Sequence, residues 1–139
     1  MLEVSHGTEV LGLEKDSAIL ARMGLKMVSH LEDEIPNAAI LVYVTNSEGL
    51  GSGALLAMSA GVPVIASKVG GLGEVIRHGV NGLLVDNDEA AISGAIRSLM
   101  EHPEQARTMG AAARRTVIER FTVDRMVAGT LEAYRRILA

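Results

Sequence analysis

The chain has 139 residues, enough to bury one core, and 48% of them are apolar, which excludes a disordered segment. With no cysteine it has no disulfide framework or thiolate metal site, and Tyr43, Phe121 and Tyr134 are too few aromatics for stacking on nucleic acid or on carbohydrate. The net charge of −4 is uneven: residues 1–96 hold 5 basic and 12 acidic side chains, residues 97–139 hold 8 and 5. That basic end either faces an anionic partner or membrane surface, or is a set of solvated helix faces interleaving arginine with glutamate.

No apolar stretch approaches the roughly 20 residues of a membrane span. Met1-Leu2-Glu3-Val4-Ser5-His6 has neither the basic nor the apolar region of a signal peptide, so a cytoplasmic protein is expected. No repeat or linker interrupts the chain, and one domain over 1–139 is expected.

Taken in order, Glu9 to Leu13 reads as a short strand, Asp16 to Met23 as a helix and Lys26 to Ser29 as another strand. His30, Glu32, Asp33 and Glu34 are hard ligands by type. Neighbours in sequence rarely converge on one ion, so an exposed acidic loop is the expectation there. Ile40 to Val44 reads as a strand buried on both faces, as in a parallel sheet. Gly53 to Ala60 follows as a short helix, with Gly61 as its left-handed stop. Pro63 opens the strand Val64-Ile65-Ala66. Gly70-Gly71 turns into a short helix through Glu74, Val75 and Ile76, and Gly79, Asn81 and Gly82 punctuate a turn into Leu83-Leu84-Val85.

The last third is helical. Ile92, Ile96 and Leu99 recur at helical spacing, as do Ala106, Met109, Ala113 and Val117, with Pro103 at a first helical position. Thr122 caps a final helix whose stripe is Val127, Leu131, Tyr134 and Leu138. Strands alternating with helices predict a Rossmann-like layered α/β domain with a mostly parallel sheet. Ligands in such sheets bind outside the carboxyl ends of the strands, where the Glu48 and Gly70-Gly71 turns both belong.

The chemistry concentrates in Ser47-Glu48-Gly49-Leu50-Gly51-Ser52-Gly53. The glycines let a ligand approach the backbone, and the amides of Ser52, Gly53 and Ala54 form a free helix start that favours phosphate. Glu48, acidic beside an anion site, is of use if it accepts hydrogen bonds from hydroxyls. The combination suits a sugar diphosphate. The alternative is a plain strand-to-helix turn with a solvent-facing glutamate.

This segment, with Ala57-Met58-Ser59-Ala60-Gly61-Val62-Pro63-Val64-Ile65-Ala66-Ser67, resembles the C-terminal donor-binding domain of group 1 glycosyltransferases. These are retaining, nucleotide-sugar-dependent enzymes of two Rossmann-like domains, the GT-B fold. The likeness continues through Val69-Gly70-Gly71-Leu72-Gly73-Glu74-Val75-Ile76, Gly79-Val80-Asn81-Gly82-Leu83-Leu84-Val85 and Glu119-Arg120-Phe121-Thr122, covering roughly 38–139. The resemblance implies that Glu48 lies near the donor sugar and nucleotide, and that Gly49, Leu50 and Gly51 meet the sugar and diphosphate. It places Gly70 and Gly71 on the same edge and Glu74 near them, as a ligand contact or as a helix-start residue.

The departures bear on function. The family's second glutamate, a ribose acceptor, falls here on Leu56, eight positions after Glu48. Its diphosphate-neutralising arginine and lysine fall on Leu13 and Lys15, if Gly12-Leu13-Glu14-Lys15 is a shortened relic of that loop; otherwise Lys15 is a surface lysine. The family's acceptor domain is expected to be absent from these 139 residues. The resemblance therefore implies either a donor-binding fragment, which transfers a sugar without a metal or other cofactor once joined by an acceptor-domain partner chain, or an inactive relic serving as a nucleotide-binding or interaction module. The isolated chain is expected to be inactive, with its final helix free for self-association.

Overall fold

A computed structural model describes residues 2–5, 22, 24–28 and 30–138. The chain divides into two compact units, Met1–Asn37 and Ala38–Ala139. In the first, β1 (Leu2–Ser5) pairs in parallel with β2 (Leu25–Val28), Leu2 opposite Leu25. The four-residue helix α1 (Leu31–Glu34) and a 3-10 turn (Ile35–Asn37) follow. The acidic run is thus a helical turn rather than a loop, with Glu32 and Asp33 still exposed. The expected strand at Glu9 to Leu13 lies outside the described residues. Of the expected Asp16–Met23 helix only Arg22 is described, and it is helical.

The second unit is built on a parallel sheet, ordered β3 (Leu41–Tyr43), β4 (Val64–Ser67), β5 (Leu83–Val85). Leu41 pairs with Val64 and Ile65 with Leu83. Helix α2 (Ser52–Ala60) connects β3 to β4, and the single turn α3 (Leu72–Val75) connects β4 to β5. Three longer helices follow: α4 (Glu89–Glu101), α5 (Pro103–Arg120) and α6 (Val123–Leu138). This is the layered α/β class read from the sequence.

Every residue of β4 is buried, as its central place requires. The expectation of a fully buried strand at Ile40 to Val44 is corrected: β3 is an outer strand of the three, its residues are only partly buried, and Val44 is 48% exposed. On one side Ile65 joins Leu99 of α4 and Ala106 and Met109 of α5 in the core, with Val42, Leu83, Val85 and Ile96 packed around them. Burying a side chain such as Ile65 contributes about 1.5–3 kcal/mol.

Helix α2 buries Ala54, Ala57 and Met58, and it ends at Gly61 in the left-handed conformation (φ 78°). There it meets α5 so closely that a β-carbon on Gly110 would lie 2.0 Å from the Gly61 carbonyl oxygen. Arg114 Nη1 donates to the Ser59 carbonyl nearby, at 3.1 Å. The glycine turn after α3 is held from within. Buried Asn81 accepts from the Arg77 amide and donates to the Val75 carbonyl and to Thr116 Oγ1 of α5.

Helix starts follow local chemistry. Pro103 stands in the first turn of α5, Thr122 Oγ1 accepts from the Arg125 amide at the start of α6, and Asp88 accepts from the Ala91 amide to cap α4. Every residue of α6 is exposed, including Val127, Leu131, Tyr134 and Leu138. Among the described residues no helix is long and apolar enough to cross a membrane.

Candidate functional site

Two turns leave the carboxyl ends of β3 and β4 and touch. The Gly71 amide points at the Glu48 carbonyl oxygen at 3.4 Å. A β-carbon on Gly70 would lie 1.9 Å from that same oxygen, and one on Gly71 would lie 2.0 Å from the Gly49 carbonyl oxygen. Gly70 is also left-handed, at φ +51°. Only glycine at both positions lets the β4 turn support the backbone of the Glu48 turn from beneath. The sequence placed both turns on one edge; their direct contact is a structural finding.

Glu48 folds back over its own turn. Tyr43, the last residue of β3, donates its hydroxyl proton to Glu48 Oε2 at 2.5 Å, and the Gly49 amide donates to Oε1 at 2.9 Å. The Tyr43 hydroxyl holds the Glu48 carboxyl below the usual glutamate range against an opposing desolvation, with the Gly49 and Gly51 amides adding to the lowering. Partial burial, with the bond to the Glu48 carboxylate and its charge added, pushes the Tyr43 phenol up to about 12. Glu48 is therefore an ionised acceptor fixed in place, not a free solvent-facing side chain.

Beside it, Gly51 in the left-handed conformation (φ 83°) starts α2 without any side-chain cap, and the first bond of the helix runs from the Leu55 amide to the Gly51 carbonyl. The amides of Ser52 and Gly53 are thus left for an outside acceptor at the positive end of a nine-residue helix, whereas Ala54, also expected at the free start, is fully buried. Ser52 is exposed, Leu50 is 47% exposed, and Gly53 lies against the Tyr43 ring. An ionised hydroxyl acceptor and a bare helix start, side by side on a sheet edge, suit a ligand carrying both hydroxyls and phosphates.

A polar clamp that the sequence did not reveal closes the same edge. Buried Ser67, the last residue of β4, accepts from the Thr45 amide at 2.8 Å and donates to Asn87 Oδ1. Asn87 Nδ2 in turn donates to the Thr45 carbonyl at 2.8 Å and to Asn46 Oδ1 at 3.3 Å. The ends of all three strands are tied together directly behind the Glu48 turn. The available signal was one hydroxyl closing an otherwise apolar buried strand.

The remaining candidates are placed less centrally. Glu74 is exposed on α3. Leu56 is 38% exposed on α2, its carbonyl taken by Ser59 Oγ. Lys15 lies outside the described residues. His30 Nδ1 is 3.6 Å from Glu32 Oε1, and among the described residues no three His, Asp or Glu side chains converge as a metal site.

The family model described as glycosyl transferases group 1 matches residues 20–116. The chain belongs to that family. Among curated group 1 relatives, the alpha-maltose-1-phosphate synthase of Mycolicibacterium smegmatis is 36% identical over 145 residues, covering 99% of this chain and 37% of its own length. The chain thus spans little more than a third of that relative. Among solved structures, sucrose-phosphate synthase from Thermosynechococcus elongatus superposes with a TM-score of 0.85 at 26% identity, over 99% of this chain and 38% of the other. Anabaena HepE, solved in complex with UDP-glucose, superposes at 0.79 and 22% identity over 94% and 40%, a likeness of fold. The three-stranded parallel sheet and its flanking helices are accordingly part of a GT-B glycosyltransferase fold.

Proposed function

We propose that this chain is the donor-binding part of a retaining group 1 glycosyltransferase and takes a nucleoside-diphosphate sugar across Glu48, Gly49, Leu50, Gly51, Ser52 and Gly53. One observation carries the reading. Glu48 is fixed by Tyr43 and Gly49 immediately beside the uncapped start of α2, so an acceptor for sugar hydroxyls adjoins donors for a diphosphate. In this reading the diphosphate charge meets backbone amides and a helix dipole rather than a metal, with Lys15 as a further cation and Gly70, Gly71 and Glu74 flanking the sugar. Transfer then needs an acceptor-binding half, from a partner chain or a longer form of the protein, acting in the cytoplasm. The uncovered apolar stripe of α6 is the surface for such a partner or for self-association. Calorimetric titration with several nucleoside diphosphates tests binding, and absence of heat at millimolar ligand overturns it.

A second reading is favoured by Leu56, an exposed leucine where the family pattern has a ribose-binding carboxylate. It makes the chain an inactive relic that keeps a nucleotide-binding or interaction surface. Leu56→Glu separates the two. With an intact ribose pocket the substitution tightens nucleotide binding by about tenfold or more, as charged hydrogen bonds do. With a collapsed pocket it changes nothing.

A further inference from the structure

We infer that Tyr43 is a positioning residue for the donor sugar: its hydroxyl, anchored by a ring packed against the start of α2, aims Glu48 at a sugar hydroxyl and sets the site's preference for a sugar nucleotide over the bare nucleotide. The inference rests on the donor-binding reading above. The ring is packed against the helix. It belongs to the last residue of β3, and a β-carbon on Gly53 would lie 2.9 Å from its Cε2, so the first turn of α2 packs directly on it. The same side chain therefore touches the helix start that takes the diphosphate and the carboxylate that takes the sugar, fixing one relative to the other.

The acceptor count supports this assignment. An ionised carboxylate offers about four lone-pair sites. Tyr43 occupies a site on Oε2, the Gly49 amide a site on Oε1, and the Gly51 amide bonds the same carboxylate, which leaves about one acceptor site for an outside hydroxyl. A carboxylate held in a fixed plane presents that remaining site to a sugar hydroxyl in one direction. Without the phenol the carboxylate keeps its backbone donors but loses the bond that fixes its plane. Among the described residues Tyr43 is the titratable side chain that bears on Glu48, so its removal is read cleanly in the Glu48 titration.

The experiment uses the full chain, Tyr43→Phe, Glu48→Gln and the double variant, titrated calorimetrically with UDP and with UDP-glucose, together with carboxyl-carbon NMR of Glu48. Tyr43→Phe is expected to lower the ratio of UDP-glucose to UDP affinity about threefold to tenfold and to move the Glu48 titration upward. The double variant is expected to bind UDP-glucose no more weakly than Glu48→Gln alone, because Tyr43 acts through Glu48. Equal weakening for both ligands, or additive losses in the double variant, overturns the inference and makes Tyr43 a packing residue. An unchanged Glu48 titration overturns it at the level of the contact itself. If the unaltered chain binds neither ligand, the donor-binding reading fails and the sugar preference fails with it, while the titration separately judges the Tyr43–Glu48 bond.

Discussion

Gly70 stands so close to Glu48 that any β-carbon at this position would lie 1.9 Å from the Glu48 carbonyl oxygen, and its backbone is left-handed as well. The turn after β4 is thus a support on which the turn after β3 rests. Gly70→Ala combines a left-handed strain of about 1–2 kcal/mol with a clash against backbone. It should destabilise the chain by at least about 2 kcal/mol in urea unfolding, and the surviving folded fraction should bind nucleotide more weakly because Glu48 is displaced.

The clamp of Thr45, Ser67 and Asn87 makes a different prediction. Ser67→Ala removes the partner of the partly buried Thr45 amide and of the exposed Asn87 side chain, a loss of about 0.5–1.5 kcal/mol for each bond. Amide exchange should show faster opening at Thr45 than at the central residues of β4. If exchange rises equally across the sheet, the clamp has no local role at the strand ends.

The sign of the pH dependence follows from the Tyr43–Glu48 bond. Because the folded carboxyl lies below its ordinary range, Glu48 stays ionised through neutral pH, and its contribution is lost only as pH falls through that lowered value. UDP-glucose binding should hold down to the ordinary glutamate value of about 4.3 and weaken only below it. In Tyr43→Phe the fall should begin at higher pH. Calorimetry at a series of pH values checks both profiles.

What was legible in the sequence was local. Gly61 as a helix stop, Pro103 in a first turn and Thr122 as a cap each act within a few residues, and each stands where the pattern put it. The Glu48 turn was legible as chemistry because the glycines and the helix start adjoin it. The rest depended on distance in sequence: Ser67 meets Asn87 across 20 residues, and Asn81 meets Thr116 across 35. The exposure of β3 was missed because an apolar run cannot say whether its strand is central or outer. Tyr43 was read only as a scarce aromatic within a strand; its hydroxyl bond to Glu48 needs the curl of the turn, which periodicity does not encode.

The most direct test of donor binding at the Glu48 edge is an amide NMR titration of the full chain with UDP-glucose. The account predicts saturable shifts at millimolar ligand or below, centred on Gly49, Gly51, Ser52, Gly53 and Ala54, with smaller ones at Gly70 and Gly71. No shifts at millimolar ligand, or shifts centred on residues away from this edge, would contradict it.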